Sequence, residues 1–319
     1  MDAPLLLAAT EPGSEGALLI QYCLDGLTSG SLFALLALGY TMVYGIIELI
    51  NFAHGDVFML GSCLAFTIVT RLGLDRVAPA GRWSGIILLL LVVPLFCAVL
   101  NLSIDRLVYR PLRKAPKLAP LVSAIGASFV LMNVGLLWGG PADRNFPALL
   151  PQHNLLGPDS AVRFTTEDLM VVVVTLPVMV VLAVVVKYTQ LGRAMRATAQ
   201  DPIAARLMGI HVDRVIGATF VIGGAMAGTA SVIYSLYIHT ISFQMGFQNG
   251  LYAFTAAVLG GIGNIPGAVL GGLVIGLVRS LASGYIGERW TSALVFAILI
   301  AILVFRPSGL LGSRTREKV

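Results

Sequence analysis

Charged residues are scarce in this chain: Asp, Glu, Lys and Arg together make up 12% of its 319 residues, while hydrophobic residues make up 57%. A soluble domain carries about 25% charged residues, so this composition excludes a soluble globular protein. A helix that crosses a bilayer core of about 30 Å needs about 20 apolar residues, and several separate runs meet that requirement. The sequence therefore predicts an all-α polytopic membrane protein.

Sequence motifs of enzymes and metal sites are missing as well. The chain has no GxxxxGKS or GxxxxGKT phosphate loop, no Gly-Lys pair, no GxSxG and no HExxH. Its three cysteines, Cys23, Cys63 and Cys97, lie in apolar runs without CxxC spacing. This pattern favours packing over a zinc site or a disulfide. We therefore expect no enzymatic activity and no cofactor or metal in this chain.

Eight apolar runs predict the membrane-spanning helices. They lie near residues 17–38, 40–69, 84–104, 119–138, 168–187, 214–236, 251–284 and 289–305. The run 251–284 is long enough to cross twice, which gives about eight or nine helices in a transmembrane domain over residues 17–306.

Basic residues predict the orientation, because short loops rich in Lys and Arg stay in the cytoplasm. They cluster at 106–117, at 187–214 and in the tail 307–319, so these segments are expected inside. The net charge of +5 has the same origin and requires no nucleic-acid partner. Residues 1–16 have no Lys or Arg and are expected to form a short external segment, not a cleaved signal. For the tail to lie inside, the run 251–284 must cross twice.

Two long loops are too polar to span. The loop 139–167, with four prolines, is expected outside as a solvated connection or as a cap or docking surface. The loop 188–213 is expected in the cytoplasm. There Asp201 can cap, and Pro202 can begin, a short helix that ends at Gly209. That helix either docks on a cytoplasmic partner or lies on the lipid headgroups.

Polar residues interrupt the first apolar half between Gly39 and Gly61. They include Asn51, His54 and Asp56. Because such groups are costly at membrane depth, they favour a substrate or ion path. Each also has a purely structural interpretation: His54 can donate to an interior carbonyl, Asp56 can cap a helix or pair with an arginine, and Asn51 can cap.

The second half contains a similar interruption at residues 250–272. Its breaking residues are Gly260, Gly261, Gly263, Asn264, Pro266 and Gly267. Paired broken or half-helix segments in pseudo-repeated halves indicate a central binding site, where a half-helix end can hold a charged substrate group. A zwitterionic substrate would suit both kinds of helix end. The GxxxG patterns in this region alternatively favour close helix packing.

Glu48 lies inside an apolar stretch where a charge is uncomfortable. It either reaches an interface or pairs with Arg279. The sequence leaves both alternatives open.

Four segments in order now carry a family resemblance. They are GYTMVYGIIELINFAHGDVFMLGS, LVYRPLRKAPKLAPLVSAIGAS, GRAMRATAQDPIAARLMGIHVDRVIGATFVIGGAMAG and AFTAAVLGGIGNIPGAVLGGL. From about Gly26 to the tail, the chain resembles the LivH-type permease subunit of branched-chain amino-acid ABC importers. The resemblance implies a multi-pass protein of the bacterial inner membrane. It also implies a LivM-type second permease subunit, two cytoplasmic ATP-binding subunits that supply the ATPase, and a periplasmic substrate-binding protein.

The resemblance also assigns roles to residues. The motif at Asn51–Asp56 corresponds to the family's NFAHGE, with Asp56 in place of Glu. The expected substrate path comprises Tyr44, Asn51, Phe52, His54, Gly55, Asp56, Gly260, Gly261, Gly263 and Asn264. The expected ATPase contact comprises Gly192, Arg193, Arg196, Asp201, Ala205 and Gly209.

The function expected from these observations is the permease of an ATP-driven importer of leucine, isoleucine and valine that a binding protein delivers. The alternatives are a passive channel or permease for urea or short amides, and a gradient-driven transporter with His54 and Asp56 as an ion relay.

Overall fold

The computed structural model describes residues 14–312 except 48, 50, 114, 117, 158, 159 and 307. Twelve α-helices dominate these residues: α1 Ser14–Ile47, α2 Ala53–Leu72, α3 Pro79–Ile104, α4 Arg110–Leu112, α5 Leu118–Gly139, α6 Thr166–Tyr188, α7 Gln190–Gln200, α8 Pro202–Leu207, α9 Val212–Ile238, α10 Met245–Gly260, α11 Ile265–Tyr285 and α12 Glu288–Phe305. A π-helical turn, Asp105–Tyr109, joins α3 to α4. In this described part, eight helical segments are long and apolar enough to cross a membrane. The all-α polytopic fold is confirmed.

Close backbone packing joins α1 to α11. A Cβ atom at Gly276 would lie 2.2 Å from Gly30 Cα, and one at Gly272 would lie 2.4 Å from Ala34 Cα. These residues recur every four positions on both helices, the spacing that lets helix backbones approach in lipid. The packing interpretation is therefore confirmed for the GxxxG at 272–276.

The predicted division between residues 38 and 40 is wrong. α1 continues through Gly39 to Ile47, and the next helix, α2, begins at Ala53. Gly39 does not break the helix because it serves a packing role: a Cβ atom there would lie 2.3 Å from His54 Nε2. The predicted interruption of 251–284 is confirmed, because α10 ends at Gly260 and α11 begins at Ile265.

One end of the helix bundle carries a two-stranded ribbon of β1 (Arg144–Asn145) and β2 (Thr240–Ile241). We call it the β-ribbon end. The loop 139–167 packs there: Phe146, Leu149 and Leu150 are buried. The backbone N–H of Arg163 also donates to Gln21 Oε1 on α1, at 2.7 Å. Of the two interpretations of this loop, the structure supports a folded cap.

The opposite end carries α7 and α8, and we call it the α7–α8 end. α9 leads from α8 to β2 through 27 residues, a separation of about 40 Å at 1.5 Å per residue. Arg113 links this end to the bundle, since it bonds Asp105 at 2.6 Å and also donates to Asp213 on α9. The predicted external segment 1–16 is described only from Ser14, the predicted tail 307–319 is described only at 308–312, and Glu48 lies outside the described residues.

His239 closes α9 at the β-ribbon end with a left-handed backbone, φ 57°. Its Nε2 lies 3.0 Å from Glu167 Oε1 on α6, and its carbonyl accepts from the Phe146 N–H at 2.8 Å. The hydrogen bond to the Glu167 carboxylate raises the pKa of His239. The residue thus ties α6, α9 and the capping loop together.

We expect Gly276→Ala to lower the thermal stability of the purified protein. The added methyl group would meet the Gly30 backbone, and overpacking of this kind costs about 1–3 kcal/mol. Gly126→Ala on α5 is the control, because nothing lies within 4 Å of its position and alanine favours a helix. Equal melting temperatures for the two variants would contradict the packing argument.

The His239–Glu167 pair predicts a pH-dependent contribution to stability. Because the folded pKa lies above the usual value near 6.5, the contribution is fully present below pH 6.5 and is lost as the pH rises through the raised pKa. We therefore expect the melting temperature of His239→Gln to fall furthest below wild type near pH 6 and to approach it at high pH. A difference that is constant with pH would reject this prediction.

Candidate functional site

A buried network of polar side chains holds Asn51, which lies just before α2. Asn51 donates to Asn101 Oδ1 on α3 at 3.2 Å, and Asn101 donates to the Phe220 carbonyl on α9 at 2.7 Å. Tyr109 donates its hydroxyl hydrogen to Asn51 Oδ1 at 3.4 Å. The Asn51 side chain is thus engaged at both ends by protein atoms and does not cap α2, whose N-cap residue is Phe52.

His54 lies in the first turn of α2 and is completely buried. Its ring packs edge-on against Tyr40, with 4.7 Å between ring centroids, and covers Gly39. The ring also contacts the backbone of Leu36. Neither ring nitrogen, however, forms a hydrogen bond of normal geometry with a described residue. The expected donation to an interior carbonyl is therefore present only as this contact with the Leu36 backbone, not as a hydrogen bond of normal geometry.

Asp56 is a second buried polar residue of α2, 1% exposed. Ser128 on α5 donates its hydroxyl hydrogen to Asp56 Oδ2. The other oxygen, Oδ1, has no hydrogen-bond partner among the described residues. Both structural interpretations of Asp56 are wrong, since it neither caps α2 nor pairs with an arginine. Ser128 was not predicted as a partner of Asp56, although its hydroxyl in the apolar run 119–138 was the available signal.

The two interrupted segments meet, as the sequence predicted. A Cβ atom at Gly45 would lie 3.2 Å from Gly263 Cα, so the end of α1 touches the turn between α10 and α11. Gly55 packs against the backbone of Gly246 on α10. Phe52 also lies near Phe254, with 6.4 Å between ring centroids. The structure therefore brings both motifs into one region around α10.

The turn between α10 and α11 is closed by the chain itself. The backbone N–H groups of Leu310 and Leu311 donate to the carbonyls of Leu259 and Gly260, at 2.8 and 3.0 Å. Asn264 caps α11 by accepting from the Gly267 N–H at 3.1 Å, and it donates to the Leu311 carbonyl at 2.7 Å. The carbonyls of Leu259 and Gly260, at the predicted half-helix end, are therefore occupied by the chain and not free to hold a substrate group.

Accessibility divides the predicted path residues into two groups. The buried ones are Asn51, His54, Gly55, Asp56, Gly260 and Gly261, and the partly or fully exposed ones are Tyr44, Phe52, Gly263 and Asn264. The path through the buried group is closed in this conformation.

Arg279 pairs with Glu288 at 3.4 Å and stacks over Tyr252.

The segment 188–213 forms an elbow of two helices. Asp201 Oδ1 accepts from the backbone N–H groups of Ile203 and Ala204, at 2.8 and 3.0 Å, which confirms the predicted cap. Gly209 ends the short helix with φ +83°, a conformation that favours glycine. α7 was not predicted; Thr189 caps it by accepting from the Gly192 N–H at 3.1 Å.

The predicted ATPase-contact residues in the elbow differ in their burial and in their contacts. Ala205 is buried and anchors α8, while Arg193 and Arg196 are exposed. Arg196 donates to the Val186 carbonyl and so holds α7 against the end of α6. The most exposed apolar side chains of α8 and its C-cap are Leu207 at 84% and Met208 at 82%. This apolar tip was not among the predicted contact residues.

Comparison with known proteins gives a consistent result. Residues 22–303 match the family described as the permease component of branched-chain amino acid transport systems. The chain is 42% identical over 308 residues to the high-affinity branched-chain amino acid transport system permease protein LivH of Salmonella typhimurium, covering 94% of this chain and 97% of the relative. BraD of Pseudomonas aeruginosa, a permease protein with the same description, is 42% identical over 305 residues, covering 94% and 98%. LivH of Escherichia coli is 41% identical over 308 residues, covering 94% and 97%.

We expect Asn101→Ala to destabilise the protein around Asn51, at the start of α2. The change leaves the buried Asn51 amide without its partner, and an unpaired buried polar group costs about 1–3 kcal/mol. Asn133→Ala is the matched control, since Asn133 is exposed and bonds only to its own helix at Phe129. Thermal unfolding in detergent measures the effect. A similar loss in both variants would contradict the role of the network.

Proposed function

The chain belongs to the family of permease components of branched-chain amino acid transport systems, and we propose that it forms the translocation path of an ATP-driven importer with partner subunits. Membership rests on the match over residues 22–303. The proposal adds that a periplasmic protein delivers leucine, isoleucine or valine, and that the complex lies in the bacterial inner membrane. The relatives with 41–42% identity are branched-chain amino acid permeases. The passive-channel alternative therefore receives no support from them.

The observation that carries the ATP-driven mechanism is the apolar tip of α8. Leu207 and Met208 project from the α7–α8 end, and Ile203 on the same short helix is 69% exposed. Exposed apolar side chains clustered at a helix end are typical of a protein interface. On this proposal the α7–α8 end faces the cytoplasm, where the basic loops also lie, and each ATP-binding subunit holds a tip of this kind.

The rest of the elbow suits the transmission of a force. α7 follows α6 directly through the capping residue Thr189, and Arg113 ties α9 to the π-helical turn after α3. A displacement of α8 would therefore act on α6, α9 and α3 together. We assign the second permease subunit and lipid to the outer faces of helices such as α5, where Phe129, Val130 and Leu137 are exposed.

In the proposed transport cycle, His54 and Asp56 form hydrogen bonds that they lack in this conformation. Buried polar groups without partners cost about 1–3 kcal/mol each, and both side chains have such atoms among the described residues. We assign these atoms to an open conformation, in which substrate or water supplies the missing hydrogen bonds. The closed structure is then one state of an alternating-access cycle.

We expect Leu207→Asp to weaken binding of the ATP-binding subunits on the order of tenfold or more, because it replaces an exposed apolar side chain that would be buried in the complex. ATP-dependent leucine uptake in proteoliposomes should fall in parallel. Leu156→Asp is the control, an exposed leucine in the loop 139–167 at the opposite end. Unchanged subunit binding in Leu207→Asp, or an equal loss in Leu156→Asp, would overturn the proposal.

A further inference from the structure

A cavity of about 190 Å³ opens at the β-ribbon end, away from His54 and Asp56. It lies between α2, α5 and the ribbon, and its floor includes Cys63 and Gly135. Drug-sized ligands occupy pockets of about 300–1,000 Å³, so this cavity suits a smaller molecule. The family match over residues 22–303 assigns no role to this cavity.

Two cationic side chains line the cavity. Arg71 belongs to the last turn of α2 and Arg144 to β1. Neither forms an ion pair with a described residue, whereas the neighbouring Arg76 lies 3.8 Å from Asp75. Guanidinium groups bind carboxylates through paired hydrogen bonds. The unpaired cations therefore favour an anionic ligand group.

The cavity also has an apolar, aromatic lining. Phe66, Trp138 and Phe243 also line the cavity. The indole N–H of Trp138 donates to Thr67 Oγ1 at 3.1 Å, and Arg144 stacks over the Phe66 ring at 5.6 Å. Both aromatic rings are thus held in place beside the cations.

The geometry points to a reception site for one free amino acid, in which Arg71 and Arg144 hold the carboxylate and Phe66 and Trp138 contact a branched apolar side chain. This inference rests on the proposed function and names the first place where the permease touches its substrate. It differs from the predicted path, which contains none of these four residues.

A close-packed contact between α2 and α5 separates this reception site from Asp56 in the interior. Below Cys63, Met59 packs against Gly135, and one turn further Asp56 accepts from Ser128. These α2 residues are spaced by three or four positions, so they share one face of the helix. If this contact opens during transport, a bound amino acid reaches the Asp56 carboxylate, which complements its ammonium group.

The test measures leucine binding to the complete complex in nanodiscs without the substrate-binding protein, by saturation-transfer NMR. We expect Arg71→Gln and Arg144→Gln each to weaken leucine binding on the order of tenfold, the effect of losing a hydrogen bond to a charged group. Arg76→Gln, an exposed neighbour outside the cavity lining, should bind like wild type. Leucinol, which lacks the carboxylate, should bind weakly to all forms.

Unchanged leucine binding in both arginine variants, no leucine binding in the wild type, or equal binding of leucinol would each overturn the reception site. If the two variants instead lose docking of the substrate-binding protein while leucine binding persists, the arginines serve that protein and the inference is wrong. ATP-driven uptake by the wild-type complex tests the proposed function separately. Its absence alongside arginine-dependent leucine binding would reject the importer and not the site.

Discussion

The close approach of α1 and α11 determines where the remaining parts of the molecule lie. Gly30 and Ala34 of α1 allow backbone contact with Gly276 and Gly272 of α11. In lipid, where apolar side chains gain little by leaving one hydrocarbon surface for another, such packing is a principal source of helix association. Because the two helices are antiparallel, their contact also brings the end of α1 at Gly45 beside the turn before α11. Both interrupted segments consequently share one region of the bundle.

The polar side chains within this region fall into two classes. Asn51, Asn101 and Tyr109 satisfy one another and the Phe220 carbonyl, so they join the segment before α2 to α3, to the π-helical turn and to α9. His54 and Asp56 retain polar atoms without partners among the described residues. A satisfied network stabilises one conformation, whereas an unsatisfied polar group favours a change of surroundings. His54 and Asp56 are therefore the better candidates to contact the transported substrate. Residue type alone did not separate the two classes, because all of them are polar residues in apolar surroundings.

The sequence predicted the helices and their caps better than the contacts between distant residues. The fold class, the interruption near Gly261 and the cap at Asp201 follow from local rules on apolar runs, glycine and capping, and the structure agrees. The end of α1 was predicted wrongly, because a glycine such as Gly39 usually favours a helix break. In the structure, the His54 ring occupies the space that a side chain at Gly39 would fill. Ser128 and the cavity beside Arg71 depend on how α5 lies against α2, a long-range relation that no local pattern contains.

The hydrogen bonds from Leu310 and Leu311 to the end of α10 impose an order on biogenesis. Synthesis proceeds from the N-terminus, so α11 and α12 must both be inserted before this segment can reach Leu259 and Gly260. Until then the carbonyls at the end of α10 lack their final partners, and the hairpin of α10 and α11 remains open to rearrangement. Leu310 and Leu311 therefore fix the end of α10 only after α12, the helix that precedes them, is in place.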